Sequence, residues 1–147
     1  MLGELNSTIR EINLVAKLTL YIKGLQEKKV MKGKRLFGDF GEEYAVKLLQ
    51  SKGYEILERN FRTKVGEIDI IALEGDILVF VEVKTRWSKK YGTPQEAVNA
   101  RKIYRIKRAG DFYLSSHKNV PKRHRIDVVA IEVSGKVINS TKIIKVV

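Results

Sequence analysis

Apolar and polar residues alternate with helical and strand periods in separate parts of the chain. Between Ser7 and Lys29 apolar residues recur every three or four positions, which predicts an amphipathic helix. The same spacing predicts a second helix from Asp39 to Ser51, ended by Gly53. A long basic helix is predicted from Pro94, which suits a first helical turn, to about Ser115.

Strand patterns fill most of the remaining chain. They are predicted near residues 54–61, 66–73 and 77–86, then from Arg125 to Val133, with a last edge strand over residues 136–147. In the fourth strand, Asp127 is expected to pair with Arg125 on the same face. The order of elements predicts an α/β sandwich in which helices flank a central mixed β-sheet.

Charged residues interrupt two otherwise apolar strands. Asp69 lies in the second, and Glu82 and Lys84 lie in the third. A charge in an apolar interior is costly unless it is paired or binds a metal. Side chains alternate along a strand, so Glu82 and Lys84 share one face, and a hairpin turn at Gly75 brings Asp69 near them.

This arrangement has two interpretations. Carboxylates from neighbouring strands form an oxygen-rich site that suits Mg²⁺ or Mn²⁺, and an adjacent ammonium positions an attacking water. Such a site suits phosphodiester hydrolysis. The alternative is an internal ion pair of Lys84 with Glu82 or Asp69 that has only a structural role.

Composition narrows the class of protein. A chain of 147 residues is long enough for one ordinary domain, and its formal net charge of +12 indicates a polyanionic partner. The absence of cysteine excludes disulfides, thiolate metal sites and cysteine nucleophiles, and agrees with a cytoplasmic location. No run approaches the roughly 18 apolar residues of a membrane-spanning helix, and no signal-peptide pattern is seen, so a membrane partner is not favoured.

The basic residues are concentrated directly after the acidic positions. Between Lys84 and Arg108 there are nine basic residues against one acid, Glu96. Such a cluster predicts contacts with a phosphate backbone, although a merely solvated surface is the simpler alternative. Tyr104 and other aromatics among these residues are candidates for stacking on unpaired bases or for ordinary packing. The predicted nucleic-acid contacts are Arg86, Lys89, Lys90, Gln95, Arg101, Lys102, Arg105 and Arg108.

Glu42 on the second helix has two interpretations. It shares a helix face with Ala45, Val46 and Leu49, which turns it toward the core beside the predicted site. It also follows Asp39 by three positions, as in a capping box that would only hold the helix N-terminus.

Motifs along the chain resemble known nucleases. Asp69 followed by Glu82-Val83-Lys84 resembles the PD-(D/E)XK signature, with Ile68 in place of its proline. About residues 33–133 resemble the YraN-like uncharacterised family, which is similar to archaeal Holliday junction resolvases and has a restriction-endonuclease-like fold. The matching segments are Gly41-Glu42 with Ala45, Gly53-Tyr54, Arg59-Asn60-Phe61-Arg62, Gly66-Glu67-Ile68-Asp69 and Phe80 to Arg86.

The resemblance implies roles for individual residues. Asp69, Glu82 and the Val83 carbonyl would hold Mg²⁺ or Mn²⁺, Lys84 would orient the attacking water, and Glu42 would support the metal. These roles predict a metal-dependent endonuclease acting on DNA, with branched or flapped DNA as a candidate substrate. Junction cleavage needs two sites at a fixed separation, hence a homodimer.

Two other functions remain open. The chain is alternatively a nucleic-acid-binding module that keeps the nuclease fold without cleaving.

Because the resemblance begins near residue 32, residues 1–30 are predicted to be a helical extension of a nuclease-like domain at 31–147. Burial of that helix within the protein or a dimer is expected, and a membrane-surface anchor is the third possibility.

Overall fold

The computed structural model describes residues 34–86, 99–134 and 137–146. The predicted helix over residues 7–29 and the extension over residues 1–30 lie outside these ranges. So do Lys89, Lys90, Pro94 and Gln95.

Two helices and five strands follow one another in the described chain. The strands form one sheet in the order β1-β2-β3-β4-β5. β3 and β4 are parallel and all other neighbours are antiparallel, so the sheet is mixed, as predicted. The elements are α1 (Lys34–Ser51), β1 (Glu55–Arg62), β2 (Glu67–Glu74), β3 (Ile77–Arg86), α2 (Ala100–Ser116), β4 (His124–Ser134) and β5 (Val137–Lys145).

Each face of the sheet carries its own hydrophobic core. Tyr44 and Leu49 of α1 pack with Val79 and Val81 of β3. Residues of α2 pack on the opposite face with Phe80. The alternation along β3 separates the two sets, because successive side chains point to opposite faces. The result is an α/β fold of the restriction-endonuclease-like type, with one helix on each side of the sheet.

Element boundaries agree with the pattern except at two helix starts. α1 begins at Lys34, upstream of the predicted Asp39. The predicted start of the basic helix at Pro94 is wrong, because α2 begins at Ala100. Asn99 caps α2, and its side chain accepts a hydrogen bond from the Lys102 N–H at 2.9 Å.

The two predicted turn glycines have positive φ. Gly53 follows the end of α1 with φ 89°, and Gly75 lies in the β2–β3 turn with φ 60°. Both conformations are ones that glycine adopts without a Cβ penalty. None of the helices in the described part of the chain is long and apolar enough to cross a membrane.

A buried ion-pair network lies near the start of β4. Asp127 is fully buried and accepts hydrogen bonds from Arg125 Nε at 2.8 Å and Nη2 at 2.9 Å, which confirms the predicted pair. Tyr54 donates to the same carboxylate at 3.2 Å, and Glu74 forms an ion pair with Arg125. Burial raises the pKa of Tyr54 to about 12, and the Asp127 charge adds to this shift. The network joins Tyr54, in the segment after α1, to β2 and β4, as expected of a group of residues with a structural role.

Candidate metal and nucleic-acid site

Backbone pairing between β2 and β3 ends next to the predicted acids, Asp69 and Glu82. The last paired residues at this end are Ile70 and Val81. One position further, Oδ2 of Asp69 accepts a hydrogen bond from the Val83 N–H at 2.8 Å. The Asp69 carboxylate therefore takes the place of a backbone acceptor for the Val83 N–H. The strands β2 and β3 separate here, with the Asp69 side chain between them.

On the other side of Asp69, β1 is distorted at Asn60. The pairs Arg59 with Ile70 and Phe61 with Ile68 enclose this position. Asn60 has φ 53°, a left-handed conformation that asparagine tolerates better than most residues. The distortion lies directly opposite Asp69, so both strands that flank β2 depart from regular pairing here.

The Asn60 side chain links this distortion to Glu42. Glu42 is half-buried, and burial is the main cause that raises the pKa of its carboxyl. The hydrogen bond from Asn60 lowers the pKa, while the Asp69 charge raises it further. Glu42 is thus close enough to Asp69 to sense its charge. Because α1 begins at Lys34, Asp39 lies within the helix, which excludes the capping-box interpretation.

Glu82 is the buried acid of the site, with 2% of its surface exposed. Its Oε1 lies 3.7 Å from Lys84 Nζ, and its Oε2 lies 3.2 Å from Lys102 Nζ. Oε2 is nevertheless without a partner in hydrogen-bond geometry among the described residues. Burial raises the pKa of Glu82 to about 7, with a further increase from the Asp69 charge that the two lysines oppose.

Lys102 reaches Glu82 from α2, on the opposite side of the sheet from α1. It also lies 3.8 Å from an oxygen of Glu67 at the start of β2. This approach of α2 depends on Gly66, where an added Cβ would lie 2.6 Å from the backbone oxygen of Arg105. Any larger residue at position 66 would have to push the helix away from the sheet.

α1 approaches the end of β3 by a similar contact at Gly41. An added Cβ would clash with Thr85 Oγ1 and would lie 3.8 Å from Val83 Cγ1. Glu42 follows this contact directly, so the close packing of α1 on β3 explains why Glu42 comes near Asp69.

Carboxylate oxygens such as those of Asp69 and Glu82 are the ligands that a hard divalent cation takes while it keeps several waters. Across the described ranges, no three or more Asp, Glu, His or Cys side chains are placed to hold a metal together. Asp69 and Glu82 form a pair, and the resemblance adds the Val83 carbonyl. Oε2 of Glu82 is buried 3.2 Å from Lys102 Nζ without a hydrogen bond of good geometry among the described residues, so it could still accept from a water of a bound cation or contact the cation itself.

The predicted nucleic-acid contacts separate into three groups. Arg101, Arg105 and Arg108 are exposed on α2. Lys102 lies against Glu82, and Arg86 at the end of β3 has a buried Nε with no hydrogen-bond partner in the described part of the chain. The remaining three, Lys89, Lys90 and Gln95, lie outside the described residues.

The sequence interpretation missed two contributions to this site. Lys102 lies in a basic run, which predicts phosphate contacts, and nothing local indicates that α2 brings it to Glu82 on the same face of the sheet. Asn60 was part of a matching motif without a role. Its one local signal is that asparagine is a residue type enriched at left-handed positions within strands and turns.

The mixed sheet, with a helix on each face and an acidic pair where β2 and β3 separate, is the arrangement of the restriction-endonuclease-like class. Comparison with known proteins then identifies the family. Residues 41–131 match the uncharacterised protein family UPF0102. The chain belongs to this YraN-like family, which lies within the restriction-endonuclease-like superfamily.

Relatives from several bacteria share the same region. A UPF0102 protein of Caldicellulosiruptor saccharolyticus is 48% identical over 103 residues, which cover 70% of this chain and 87% of the relative. One from Caldicellulosiruptor bescii is 50% identical over 107 residues, covering 72% and 89%. One from Moorella thermoacetica is 48% identical over 98 residues, covering 67% and 82%. These names give a family and no activity.

Proposed function

We propose that this protein is an endonuclease that uses Mg²⁺ or Mn²⁺ to hydrolyse DNA phosphodiester bonds, with branched or flapped DNA as its substrate. The observation that carries the proposal is the relation of Glu82 to Asp69. Asp69 lies close enough to buried Glu82 to raise the pKa of its carboxyl, even though Lys84 and Lys102 stand beside Glu82 and oppose that shift. An acidic pair held at a strand separation favours cation binding over a purely structural role.

Asp69, Glu82 and the Val83 carbonyl are the groups that would hold the cation. A bound cation would polarise the scissile phosphate and lower the pKa of an attacking water. Lys84 would orient that water, since its ammonium lies beside Glu82 with about a third of its side chain exposed to solvent. Glu42, held by Asn60, would stabilise the arrangement from the α1 side.

The basic surface supplies the affinity for DNA in this proposal. The exposed arginines of α2 lie before and after Lys102 on the same helix, so a phosphate backbone bound to them would pass close to Glu82. A formal net charge of +12 would also speed association with a polyanion. Phosphate contacts of this kind position the substrate without reading its sequence.

A branched substrate has consequences for assembly and location. Symmetric cleavage of a four-way junction needs two active sites, so we propose a homodimer, and we place the reaction in the cytoplasm, where bacterial DNA is found. Sedimentation of the protein alone and with a junction tests the dimer: a monomer in both conditions would contradict it.

The test is cleavage of linear, flapped and four-way-junction DNA and structured RNA with Mg²⁺ or Mn²⁺. Asp69→Ala is assayed at matched purity, and Asp76→Ala in the exposed β2–β3 turn is the control for loss of an acid elsewhere. Metal-dependent cleavage that Asp69→Ala abolishes and Asp76→Ala retains is the expected result. Binding of all substrates without cleavage would favour the non-catalytic module, and cleavage retained by Asp69→Ala would overturn the site.

A further inference from the structure

One flank of α2 combines arginines with exposed aromatics. Successive residues of an α-helix are about 100° apart around its axis, so the residues of this flank fall within a sector about 100° wide beside Lys102. Lys107 and Asp111, the one acid of the helix, border this flank beside Tyr104, with Asp111 about 20° from Tyr104 around the helix axis. The flank, called here the arginine–aromatic face, consists of Arg101, Tyr104, Arg105, Arg108 and Phe112.

The two aromatic rings of this face are unusually accessible. Tyr104 is 57% exposed and Phe112 is 55% exposed. Arg108 donates a hydrogen bond from Nη1 to the Tyr104 hydroxyl at 3.1 Å, and its Cζ lies 6.0 Å from the ring centroid. The Tyr104 ring is therefore held in place by a neighbour one helical turn away and still presents most of its surface to solvent.

The arginine–aromatic face adjoins the candidate metal site. Lys102, at the edge of this face, lies 3.2 Å from Oε2 of Glu82. Arg105, one turn after Lys102 and about 60° from it around the helix, is the member of the face nearest to this ion pair, whereas Tyr104 lies at the far edge of the face, about 160° from Lys102. The backbone of Arg105 packs against Gly66 in the turn between β1 and β2. A strand bound across Glu82 would reach the face without leaving the surface of the protein.

We infer that the arginine–aromatic face binds unpaired nucleotides and that Tyr104 stacks on a base. The inference rests on the proposed function and adds that the substrate carries a single-stranded segment beside the cleaved bond. Arginines neutralise phosphates of any strand, whereas an exposed ring gains affinity only from bases whose faces are free. In duplex DNA those faces are already stacked.

Charge argues against a second copy of this chain as the occupant of the face. Three arginines lie on it and a single acid, Asp111, borders it, so two such faces opposed by a two-fold axis would repel each other. A different protein with a strongly basic surface is disfavoured as the occupant for the same reason. A polyanion with apolar ring surfaces complements both properties of the face, and single-stranded nucleic acid has that chemistry.

The test measures binding in EDTA by fluorescence anisotropy, with oligonucleotides of equal length that are single-stranded, fully abasic or duplex. Tyr104→Leu removes the ring and keeps apolar bulk, while Tyr104→Phe keeps the ring. We expect Tyr104→Leu to bind single-stranded DNA roughly 5- to 150-fold more weakly, the value of one stacked base. Its binding of abasic and duplex DNA should stay near wild type, and Tyr104→Phe should retain most of the affinity.

Two variants that each remove one positive charge separate the contribution of the arginine–aromatic face from general electrostatic attraction. Arg108→Ala changes a residue of the face that contacts Tyr104, and Lys107→Ala changes a residue just beyond the Tyr104 edge of the face. Arg108→Ala should weaken binding of single-stranded DNA more than Lys107→Ala does. The inference is overturned if Tyr104→Leu binds single-stranded DNA as the wild type does, or loses the same factor on abasic DNA. Because no metal is present, this outcome is independent of whether the protein cleaves.

Discussion

The Asp69 carboxylate accepts a hydrogen bond from the Val83 backbone N–H at 2.8 Å, just beyond the last paired residues of β2 and β3. The side chain thus closes the gap between two strands that no longer pair, and it does so one residue from Glu82. This relationship gives Asp69 two separable roles. Its acceptor oxygen satisfies a backbone donor, and its charge contributes to a cation site.

Two substitutions of Asp69 separate these roles. Asp69→Asn keeps an oxygen acceptor for Val83 but removes the charge, so stability should stay near wild type while Mn²⁺ binding is lost. Asp69→Ala also leaves a partly buried N–H unsatisfied, at a cost within about 1–3 kcal/mol. Urea denaturation and titration with Mn²⁺ monitored by electron paramagnetic resonance measure the two effects. Equal stability of the Asn and Ala variants would contradict the structural role.

The burial of Glu82 predicts a pH-dependent stability. The pKa of its carboxyl is raised from 4.5 to about 7, with Asp69, Lys102 and Lys84 as its charged neighbours. The folded protein therefore binds this proton more tightly than the unfolded chain does. The contribution of Glu82 to the free energy of unfolding should fall as pH rises from about 4.5 to 7, by up to about 1.4 kcal/mol per pH unit.

Glu82→Gln tests this pH dependence because glutamine does not titrate. Urea denaturation of both proteins between pH 4 and 8 without metal gives the difference in free energy of unfolding. The stability of the variant relative to wild type should increase through the pH 4.5–7 interval. Parallel curves for the two proteins would show that Glu82 does not titrate there.

The two lysines beside Glu82 have different expected functions. Lys84→Met should reduce cleavage by roughly 100-fold or more if its ammonium orients the attacking water. Lys102→Met should lower the melting temperature of the metal-free protein more than Lys84→Met does, because Lys102 is the nearer counter-charge of buried Glu82. Cleavage rates and metal-free melting curves are measured for both variants. The assignment fails if their effects on cleavage are the same.

Gly66 determines how closely α2 approaches the sheet. Gly66→Ala places a Cβ against the backbone of Arg105 and should destabilise the protein by about 1–3 kcal/mol. Gly38→Ala is the matched control, because nothing lies within 4 Å of a Cβ at this position inside α1. That change should stabilise the protein by about 0.5–1 kcal/mol. Thermal unfolding measures both, and two effects of the same sign would contradict the predicted packing.

The Asp127 network is predicted to stabilise the fold without affecting the acidic pair. Asp127→Ala removes the partner of the nearly buried Arg125, which should cost about 3–5 kcal/mol. Asp76→Ala breaks an exposed pair with Arg123 and should have no measurable effect. Both variants are compared by urea denaturation. A stable Asp127→Ala protein would show that Arg125 is sufficiently compensated by Glu74.

Local pattern determined much of this structure. The period of two along β3 placed Glu82 and Lys84 on one face, and the structure pairs them at 3.7 Å. Gly53 and Gly75 marked turns because positive φ favours glycine. The Arg125–Asp127 pair followed from the same alternation. Each of these features depends on residues only a few positions apart, whose relative geometry is fixed by the secondary structure itself.

Tertiary structure decided the contacts between elements. Lys102 meets Glu82 because α2 packs on the face of the sheet opposite α1, and Asn60 meets Glu42 because β1 is distorted opposite Asp69. The start of α2 at Ala100 depended on whether Asn99 or Pro94 began the helix, and both are common there. These contacts and this helix boundary depend on packing between residues distant in the chain, about which a local periodicity carries no information.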